Sequence, residues 1–335
     1  LVVCVALAYV DPGFWTRKEM VALILAFIVL ALLSVHIPGI GKTTKGSARW
    51  ISLAGLSLQP SEFVKLMAIV LMAWWQGRPG CRNGTFKQGA LIPLVALGVI
   101  VFGFLSQPDF GSVIMLCAVN IPIMIASGVK IRHIAPFGVL MLIGLVVLIL
   151  NDPERLSRVT SVFKISSDVV AVADDGDTYQ LRQSIAALTV GGLKGSGFGN
   201  SIFKQSYLPE NHTDFVFAMI GEELGFLVAL PCILLFLAMM WLGMIVSLRA
   251  PNTYTKLLAF GMTLHIGLSA AVNLGVVTGL LPTKGLALPF LSYGGSSLVS
   301  SLVAVGFILS VGWRCLPLPA KPRSYYDRDR KVWIS

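Results

Sequence analysis

Charged side chains are scarce in this chain. Only 13% of its 335 residues are Asp, Glu, Lys or Arg, whereas 56% are hydrophobic, and the mean hydropathy is +0.81. A soluble domain cannot bury apolar residues in that proportion. The composition therefore excludes an ordinary globular protein and indicates a chain that crosses a membrane many times.

Paired cysteines are also missing. The five cysteines are scattered, and four of them lie within or at the end of apolar segments, where they serve as packing residues. Their spacing fits neither a zinc site nor a disulfide framework. The net charge of +10 is spread over loops and a tail without a nucleic-acid-binding motif, so the sequence favours membrane lipids over nucleic acid as partners.

A signal peptide is not visible, and the first ten residues are apolar but too few to span a bilayer. We therefore expect the sequence to begin inside a helix and the natural protein to have more at its N-terminus. The sequence predicts an all-α polytopic membrane protein, with one transmembrane domain over 1–315 and a basic cytoplasmic tail over 316–335. Besides the partial first span, eight windows are long and apolar enough to cross a membrane: 20–38, 60–75, 89–106, 112–128, 134–151, 214–246, 256–280 and 286–314.

The basic residues predict the orientation of these spans. When alternate loops are assigned to opposite sides, most basic residues fall on one side, which the positive-inside rule makes cytoplasmic. The long loop 152–213 then lies outside, and a loop of that length without a domain of its own is usually functional or disordered. Within it, the apolar spacing over 179–193 predicts a helix on the membrane surface. The short outer loops carry only four basic residues: Lys42, Lys45, Arg49 and Lys284.

The end of the long outer loop places a carboxylate at the start of a membrane helix. Residues 204–225 run from polar residues into an apolar segment that begins at Asp214. Glu222 and Glu223 follow about 12 Å further along the predicted helix. A helix N-terminus stabilises an ionised carboxylate. Two interpretations stay open: Thr213 or Asp214 caps the helix, or Asp214 takes part in chemistry.

Other polar features have structural and functional interpretations. Glu62 and Lys65 lie three residues apart in a predicted span, so they form either a self-satisfied ion pair or part of a site. His265 fits a packed or interfacial imidazole. The glycine-rich run 191–199 is no dinucleotide site, but it can bring backbone N–H groups to a phosphate. The small residues in 288–297 permit close helix packing or a broken helix that lines a cavity.

Five separated motifs occur in a fixed order along the chain. They are Gly-Ser-Ala-Arg-Trp-Ile (46–51), Gln-Pro-Ser-Glu-Phe-Val-Lys (59–65), Gln-Pro-Asp-Phe-Gly (107–111), Tyr-Leu-Pro-Glu-Asn-His-Thr-Asp-Phe (207–215), and the stretch from Asn273 to Ser297. Together they resemble the SEDS family of peptidoglycan polymerases, which includes FtsW and RodA. The last stretch is more similar to the division-associated FtsW branch. Many members carry a second Arg where this chain has Ala48, so Arg49 stands alone.

The resemblance implies a SEDS-type bundle of ten spans, of which the first and part of the second are absent here. It implies an enzyme that polymerises lipid II into β-1,4 glycan strands at the septal cytoplasmic membrane. Asp214 would be the general base of an inverting transfer. One base would suffice, because a lipid pyrophosphate leaves without help from an acid. A divalent cation, Mg²⁺ or Mn²⁺, is left open as a cofactor, and the metal ligands are unknown. The expected substrate-binding residues are Lys42, Arg49, Gln59, Glu62, Lys65, Asp109, Lys194, Glu210, His212 and Lys284.

Two other functions remain open at this point. A lipid II flippase or an ion-coupled carrier would also explain acids and a lysine inside the membrane. A division scaffold would need only its surfaces. The partners that the resemblance implies are lipid II, the nascent glycan strand, a class B penicillin-binding protein that acts as transpeptidase, and other division proteins.

Overall fold

The structure, a computed structural model, describes residues 1–37, 41–44, 47–53, 56–151, 156, 176–201, 213–282, 286–315, 325–327 and 332–334. Helices dominate it, and every predicted membrane window contains one. The α-helices are α1 (Val2–Tyr9), α2 (Lys18–Ser34), α3 (Pro60–Gly77), α4 (Ile92–Leu105), α5 (Phe110–Ala126), α6 (Ile131–Leu150), α7 (Gly176–Gly191), α8 (Val216–Leu224), α9 (Phe226–Arg249), α10 (Thr253–Val277) and α11 (Gly295–Cys315). A 3₁₀ turn (Pro12–Thr16) and a π turn (Phe86–Leu91) precede α2 and α4.

Five helical segments in the described ranges are long and apolar enough to cross a membrane. Two other predicted spans, α2 and α5, are apolar helices of 17 residues each, and α3 has 18 residues. The prediction of an all-α polytopic membrane protein is therefore confirmed. The five segments are Phe86–Leu105, Ile131–Leu148, Phe226–Arg249, Thr253–Val277 and Gly295–Cys315.

Two predicted spans differ from the structure. The window 214–246 is not one helix, because the chain breaks at Gly225 between α8 and α9. Gly225 has φ 73° and ψ −178°, a conformation that glycine adopts without steric cost. The window 286–314 becomes helical only at Gly295, and residues 286–294 form turns. These residues belong to the connection between α10 and α11, and Leu286 and Pro289 line a small cavity, so both interpretations of this stretch stay predictions.

The described residues between 41 and 58 form a small antiparallel sheet of three strands. Strands β1 (Gly41–Thr44), β2 (Ser47–Leu53) and β3 (Leu56–Leu58) lie in the order β1-β2-β3. Arg49 is on β2, the central strand of this sheet. The backbone of its neighbour Trp50 is opposite Lys42 of β1. A second pair, β4 (Tyr325–Asp327) and β5 (Val332–Ile334), lies in the C-terminal tail. The assignment of that tail to the cytoplasm stays a prediction.

Helix α10 is at the centre of the bundle and packs against α3, α5, α9 and α11. Small residues allow this close approach: a Cβ added at Gly261 would lie 2.6 Å from side-chain atoms of both Ile69 and Ile123. Large apolar side chains such as Leu66, Met262 and Phe307 fill the space between the helices. The bundle thus has a packed apolar core.

Helix α7 confirms the helix predicted in the long outer loop but corrects its environment. Leu181, Ser184 and Ala187 are fully buried, because this face packs on α8 and α10. The Ser184 hydroxyl donates a hydrogen bond to the carbonyl oxygen of Val277 at 2.8 Å. The apolar stripe of α7 therefore contacts protein, whereas the sequence predicted that it lies on the membrane surface.

Candidate functional site

Asp214 lies in a turn that leads into α8. The helix begins at Val216, two residues later than predicted, and its N-cap position is Phe215. Neither Thr213 nor Asp214 occupies the N-cap position, and both interpretations of Asp214 stay predictions. Asp214 is half-buried.

Two buried side chains from other elements hold the backbone of this turn. Asn273, on α10, donates through Nδ2 to the carbonyl oxygens of Asp214, at 2.8 Å, and Leu286, at 2.6 Å. The Ser292 hydroxyl donates to the carbonyl oxygen of Thr213 and accepts from the backbone N–H of Leu288 at 2.7 Å. The turn is therefore joined both to α10 and to the segment 286–292.

The glycine-rich run wraps around the end of α8. The N–H of Ser196 donates to the carbonyl oxygen of Glu222 at 2.9 Å, and the N–H of Gly197 donates to that of Glu223 at 3.0 Å. The N–H of Gly199 donates to Oε2 of Glu223 at 3.2 Å. The first two N–H groups satisfy C-terminal carbonyls of α8, and the third binds a side-chain carboxylate of the same helix. The prediction that the run serves a phosphate therefore does not hold for these three groups.

Glu222 and Glu223 are buried as part of the same contact. The hydroxyl of Ser201 donates to Oε2 of Glu222, and both glutamates are nearly inaccessible to solvent. The two acids thus close the junction between the glycine-rich run and the end of α8. The hydrogen bonds from Ser201 and from the Gly199 N–H offset part of the cost of burying these two groups.

We expect Gly225→Ala to reduce the folded fraction sharply. An added Cβ would lie 2.5 Å from the Leu193 carbonyl oxygen and 2.6 Å from the Lys194 carbonyl carbon, and the φ of 73° disfavours any L side chain. The strained φ and the overpacking each cost roughly 1–3 kcal/mol. Thermal unfolding in detergent measures the effect. Gly98→Ala is the matched control, because nothing lies within 4 Å of its added Cβ, and an equal loss in both variants would contradict the explanation.

A small polar cavity lies inside the bundle. Lys65 Nζ is 2.8 Å from Oε1 of Glu62, and the Ser300 hydroxyl donates to Oε2 of Glu62 at 3.3 Å. His265 lines the cavity from α10 and is 4% exposed. The free space is about 10 Å³, close to what one water molecule needs. The self-satisfied ion pair is present, and a substrate contact by Glu62 or Lys65 stays a prediction.

The cavity is connected to the Asp214 turn by one shared residue. Leu286 lines the cavity, and its carbonyl oxygen accepts the second hydrogen bond of Asn273. On α10, His265, Ser269 and Asn273 follow each other at four-residue intervals, which places them along one helix face. The polar interior therefore continues from the Glu62–Lys65 pair to the backbone of Asp214.

Arg49 lies against the turn that contains Gln107 and Pro108. Its guanidinium donates from Nε to the carbonyl oxygen of Gln107 at 3.3 Å and from Nη2 to that of Pro108. These bonds use two of its five N–H donors. Asp109 follows directly and caps α5, because its carboxylate accepts from the N–H of Ser112 at 3.2 Å and from its hydroxyl at 2.6 Å. Asp109 thus has a structural role, and its contact with substrate stays a prediction.

The structure gives fewer contacts for the other residues that were predicted to bind substrate. The backbone N–H of Gln59 donates to the Ser296 hydroxyl at 2.9 Å, at the start of α3, and Lys194 is exposed on the glycine-rich run. The backbone of Lys42 is in β1, but its side chain is outside the described part. Three predicted residues lie outside the described residues altogether: Glu210, His212 and Lys284.

A preformed metal site is absent from the described residues, where no three His, Cys, Asp or Glu side chains come together. A Mg²⁺ ion is commonly held by one or two carboxylates and by substrate phosphates. Asp214 could supply one such ligand beside a pyrophosphate. The cation therefore stays a prediction.

The two residues that hold the Asp214 turn could not be recognised from the sequence. Asn273 and Ser292 bind carbonyl oxygens 59 and 79 residues away in the chain, and a backbone acceptor leaves no sequence signature. Polar side chains at four-residue spacing on the otherwise apolar α10 were the available signal. Such residues in a membrane helix usually face the protein interior.

The described residues form a polytopic α-helical membrane protein in which Asn273 joins the backbone of Asp214 to the lining of a small polar cavity. A family of cell cycle proteins, described by FtsW, RodA and SpoVE, matches residues 1–314. The chain belongs to this FtsW/RodA/SpoVE family, as the motifs in the sequence predicted.

Named relatives agree with this assignment. The chain is 40% identical over 306 residues to the probable peptidoglycan glycosyltransferase FtsW of Geobacter sp. (strain M18), a match that covers 91% of this chain and 82% of the relative. It is 38% identical over 304 residues to the stage V sporulation protein E of Bacillus subtilis (strain 168), covering 90% and 81%.

Solved structures support the fold. A chain of a peptidoglycan synthase complex that coordinates polymerization and crosslinking superposes with a TM-score of 0.70 at 23% identity, covering 94% of this chain and 86% of that one. The rod shape determining protein RodA of Thermus thermophilus superposes with a TM-score of 0.60 at 24% identity, covering 94% and 87%. The bundle described above is therefore the fold of this family.

Proposed function

We propose that the chain is a peptidoglycan glycosyltransferase that polymerises lipid II into β-1,4 glycan strands. The observation that carries the proposal is the 40% identity, over most of both chains, to a relative named for that activity. The geometry supports it, because Asp214 of the matching motif lies in a turn held by two buried side chains. The proposed location is the septal cytoplasmic membrane, with this turn outside.

The proposed reaction needs one base. Asp214 accepts the proton of the acceptor's 4-hydroxyl while that oxygen attacks the anomeric carbon of the donor. The bond to the lipid pyrophosphate breaks, and attack from the face opposite an α-linked leaving group gives a β linkage with inversion. The pyrophosphate already leaves as a stable anion, so no acid has to protonate it. Cations stabilise the charge that develops on it, and the candidates are Arg49, Lys42 and Lys194.

The charged groups inside the bundle support polymerisation over transport. A carrier path would use Glu62, Lys65, Glu222 and Glu223 together. In the structure, Glu62 and Lys65 pair with each other on α3, whereas the two other acids close the junction between α8 and the glycine-rich run. Each pair thus has its own structural partners. The proposed partner for crosslinking is a class B penicillin-binding protein.

The test compares detergent with sealed vesicles. In detergent no sidedness remains and transport has no meaning, so labelled lipid II that enters glycan there must be polymerised by the protein. We expect such glycan from purified protein, alone or with its transpeptidase partner. Translocation of lipid II in sealed vesicles without any glycan in detergent, under every acceptor and partner condition, would establish a carrier and overturn the proposal.

Substitutions of Arg49 are expected to weaken lipid II binding in steps. Arg holds two phosphate oxygens at once, whereas Lys offers a point charge, so Arg49→Lys should lower affinity and Arg49→Ala should lower it further. Binding of labelled lipid II measures both changes. Arg78→Ala is the control, since Arg78 stacks on Trp75 at 3.6 Å near the opposite end of α3. If the wild type, Arg49→Lys and Arg49→Ala bound lipid II with equal affinity, Arg49 would have only a structural role through its bonds to the Gln107 and Pro108 carbonyls.

A further inference from the structure

We propose that Asn273 and Ser292 are positioning residues, which set the location of the Asp214 carboxylate by holding the backbone of its turn. The proposal rests on the proposed function, in which Asp214 is the base. Nothing in the motif itself assigns either residue this role. Both act through main-chain carbonyl groups, so they need not touch substrate.

The geometry provides two independent holds on consecutive residues. Asn273 is 1% exposed and binds the carbonyl oxygen of Asp214 at 2.8 Å. Ser292 is 7% exposed and binds the carbonyl oxygen of Thr213 through its hydroxyl. With both carbonyls fixed, the peptide plane that precedes the Asp214 Cα and the one that follows it are restrained. The direction in which the side chain leaves the backbone is thereby restrained as well.

The same two side chains tie the turn to a third segment. Asn273 also binds the carbonyl oxygen of Leu286 at 2.6 Å, and Ser292 accepts from the N–H of Leu288 at 2.7 Å. The Asp214 turn, the end of α10 and residues 286–292 therefore form one hydrogen-bonded unit. Leu286 and Pro289 of that unit also line the polar cavity. The backbone that carries the Asp214 side chain is thus fixed relative to the packed bundle, although Asp214 lies at the end of a long loop.

Positioning of this kind affects chemistry more than affinity. A general base must lie within hydrogen-bonding reach of the proton that it takes, about 2.6–3.2 Å between heavy atoms. A displacement of about 1 Å can cost on the order of 100-fold in rate. In the proposed function lipid II is held by cations, whereas the hydrogen bonds of Asn273 and Ser292 described above go to backbone groups. Loss of the hold should therefore lower kcat and leave KM nearly unchanged.

The experiment measures kcat and KM for Asn273→Ala, Ser292→Ala and Ser292→Thr in the full chain with labelled lipid II. We expect kcat to fall roughly 10-fold to 100-fold in the two alanine variants, with KM within about threefold. Ser292→Thr keeps the hydroxyl and should recover most of the lost rate. This recovery is a readout that a general loss of packing would not give.

Matched controls separate positioning from stability. Asn120 is fully buried and donates through Nδ2 to the Leu116 carbonyl oxygen at 2.8 Å, and Ser184 is fully buried with an equivalent bond to Val277. Asn120→Ala and Ser184→Ala should lower thermal stability about as much as the test variants but leave kcat unchanged. If kcat of the test variants matched these controls, the positioning role would be overturned. If Asn273→Ala did not fold, the Ser292→Ala and Ser292→Thr pair would decide.

The Asp214→Asn variant distinguishes this inference from the proposed function. If Asp214→Asn keeps near wild-type kcat, the assignment of the base has failed, and the positioning role fails with it. If Asp214→Asn loses activity but Asn273→Ala and Ser292→Ala behave like their controls, only the positioning role has failed. In the Asp214→Asn background, the alanine variants should cause little further loss in kcat, because they act through the same group.

Discussion

Replacement of Asp214 by Asn will lower the rate of glycan formation by roughly 10²–10⁴-fold, the usual effect of losing a general base. Asn keeps the size of the side chain and its ability to accept a hydrogen bond, but it cannot take up the proton of the acceptor hydroxyl. The turn should survive, because Asn273 and Ser292 bind its backbone and not its carboxylate. The measurement is the initial rate of glycan formation by purified protein.

Asp11→Asn is the matched control for this substitution. Asp11 also precedes a short helix, and it accepts a hydrogen bond from the N–H of Gly13 at 2.6 Å, which Asn can replace. It contacts Arg314 near the other end of the bundle, with 3.3 Å between Nη2 and Oδ2. The rate of glycan formation by the Asp11→Asn variant should equal that of the wild type. An Asp214→Asn protein that folds normally and works at near wild-type rate would show that the base is elsewhere.

Lys65→Met should destabilise the bundle by about 3–5 kcal/mol, since it leaves the buried Glu62 carboxylate without its counter-charge. The Lys65 side chain is only 3% exposed, and its Nζ is 2.8 Å from Oε1 of Glu62. Removal of one partner of a buried pair costs far more than removal of both. Unfolding by heat or by denaturant, carried out in detergent, measures the difference in stability.

The double variant Glu62→Gln with Lys65→Met is the informative companion. It should regain most of the lost stability, because no uncompensated charge remains. Its activity decides between the two interpretations of the pair. Normal glycan synthesis by a stable double variant would make the pair structural, whereas a stable but inactive one would give it a role at the site. Equal stability of the single variant and the wild type would contradict the buried ion pair itself.

The membrane spans could be predicted from the sequence because the physics behind them is simple. Apolar runs long enough to cross a bilayer must be helical, and each window did contain a helix. The break at Gly225 was missed, since a glycine within an apolar run is common in membrane helices. What breaks the helix is a distant contact: the N–H groups of Phe226 and Leu227 bind the carbonyl oxygens of Gly192 and Leu193.

The site could be predicted only in part. The position of Asp214 in a motif between a polar loop and an apolar segment identified the candidate base, and Glu62 and Lys65 were recognisable as a pair by their spacing. The sheet around Arg49 could not be predicted because its strands are short. The contacts of Arg49 could not be predicted because its hydrogen-bond partners lie in another loop. Asn273 and Ser292 were missed because each bonds to a backbone oxygen, which any residue could supply.

The incorporation of labelled lipid II into glycan tests the central claim most directly, with wild-type and Asp214→Asn protein purified side by side and assayed in detergent. We expect long glycan strands from the wild type, with a class B penicillin-binding protein added if required, and a rate at least about 100-fold lower from the variant at equal lipid II binding. Equal polymerisation by the two proteins, or no glycan from the wild type under any of these conditions, would contradict it.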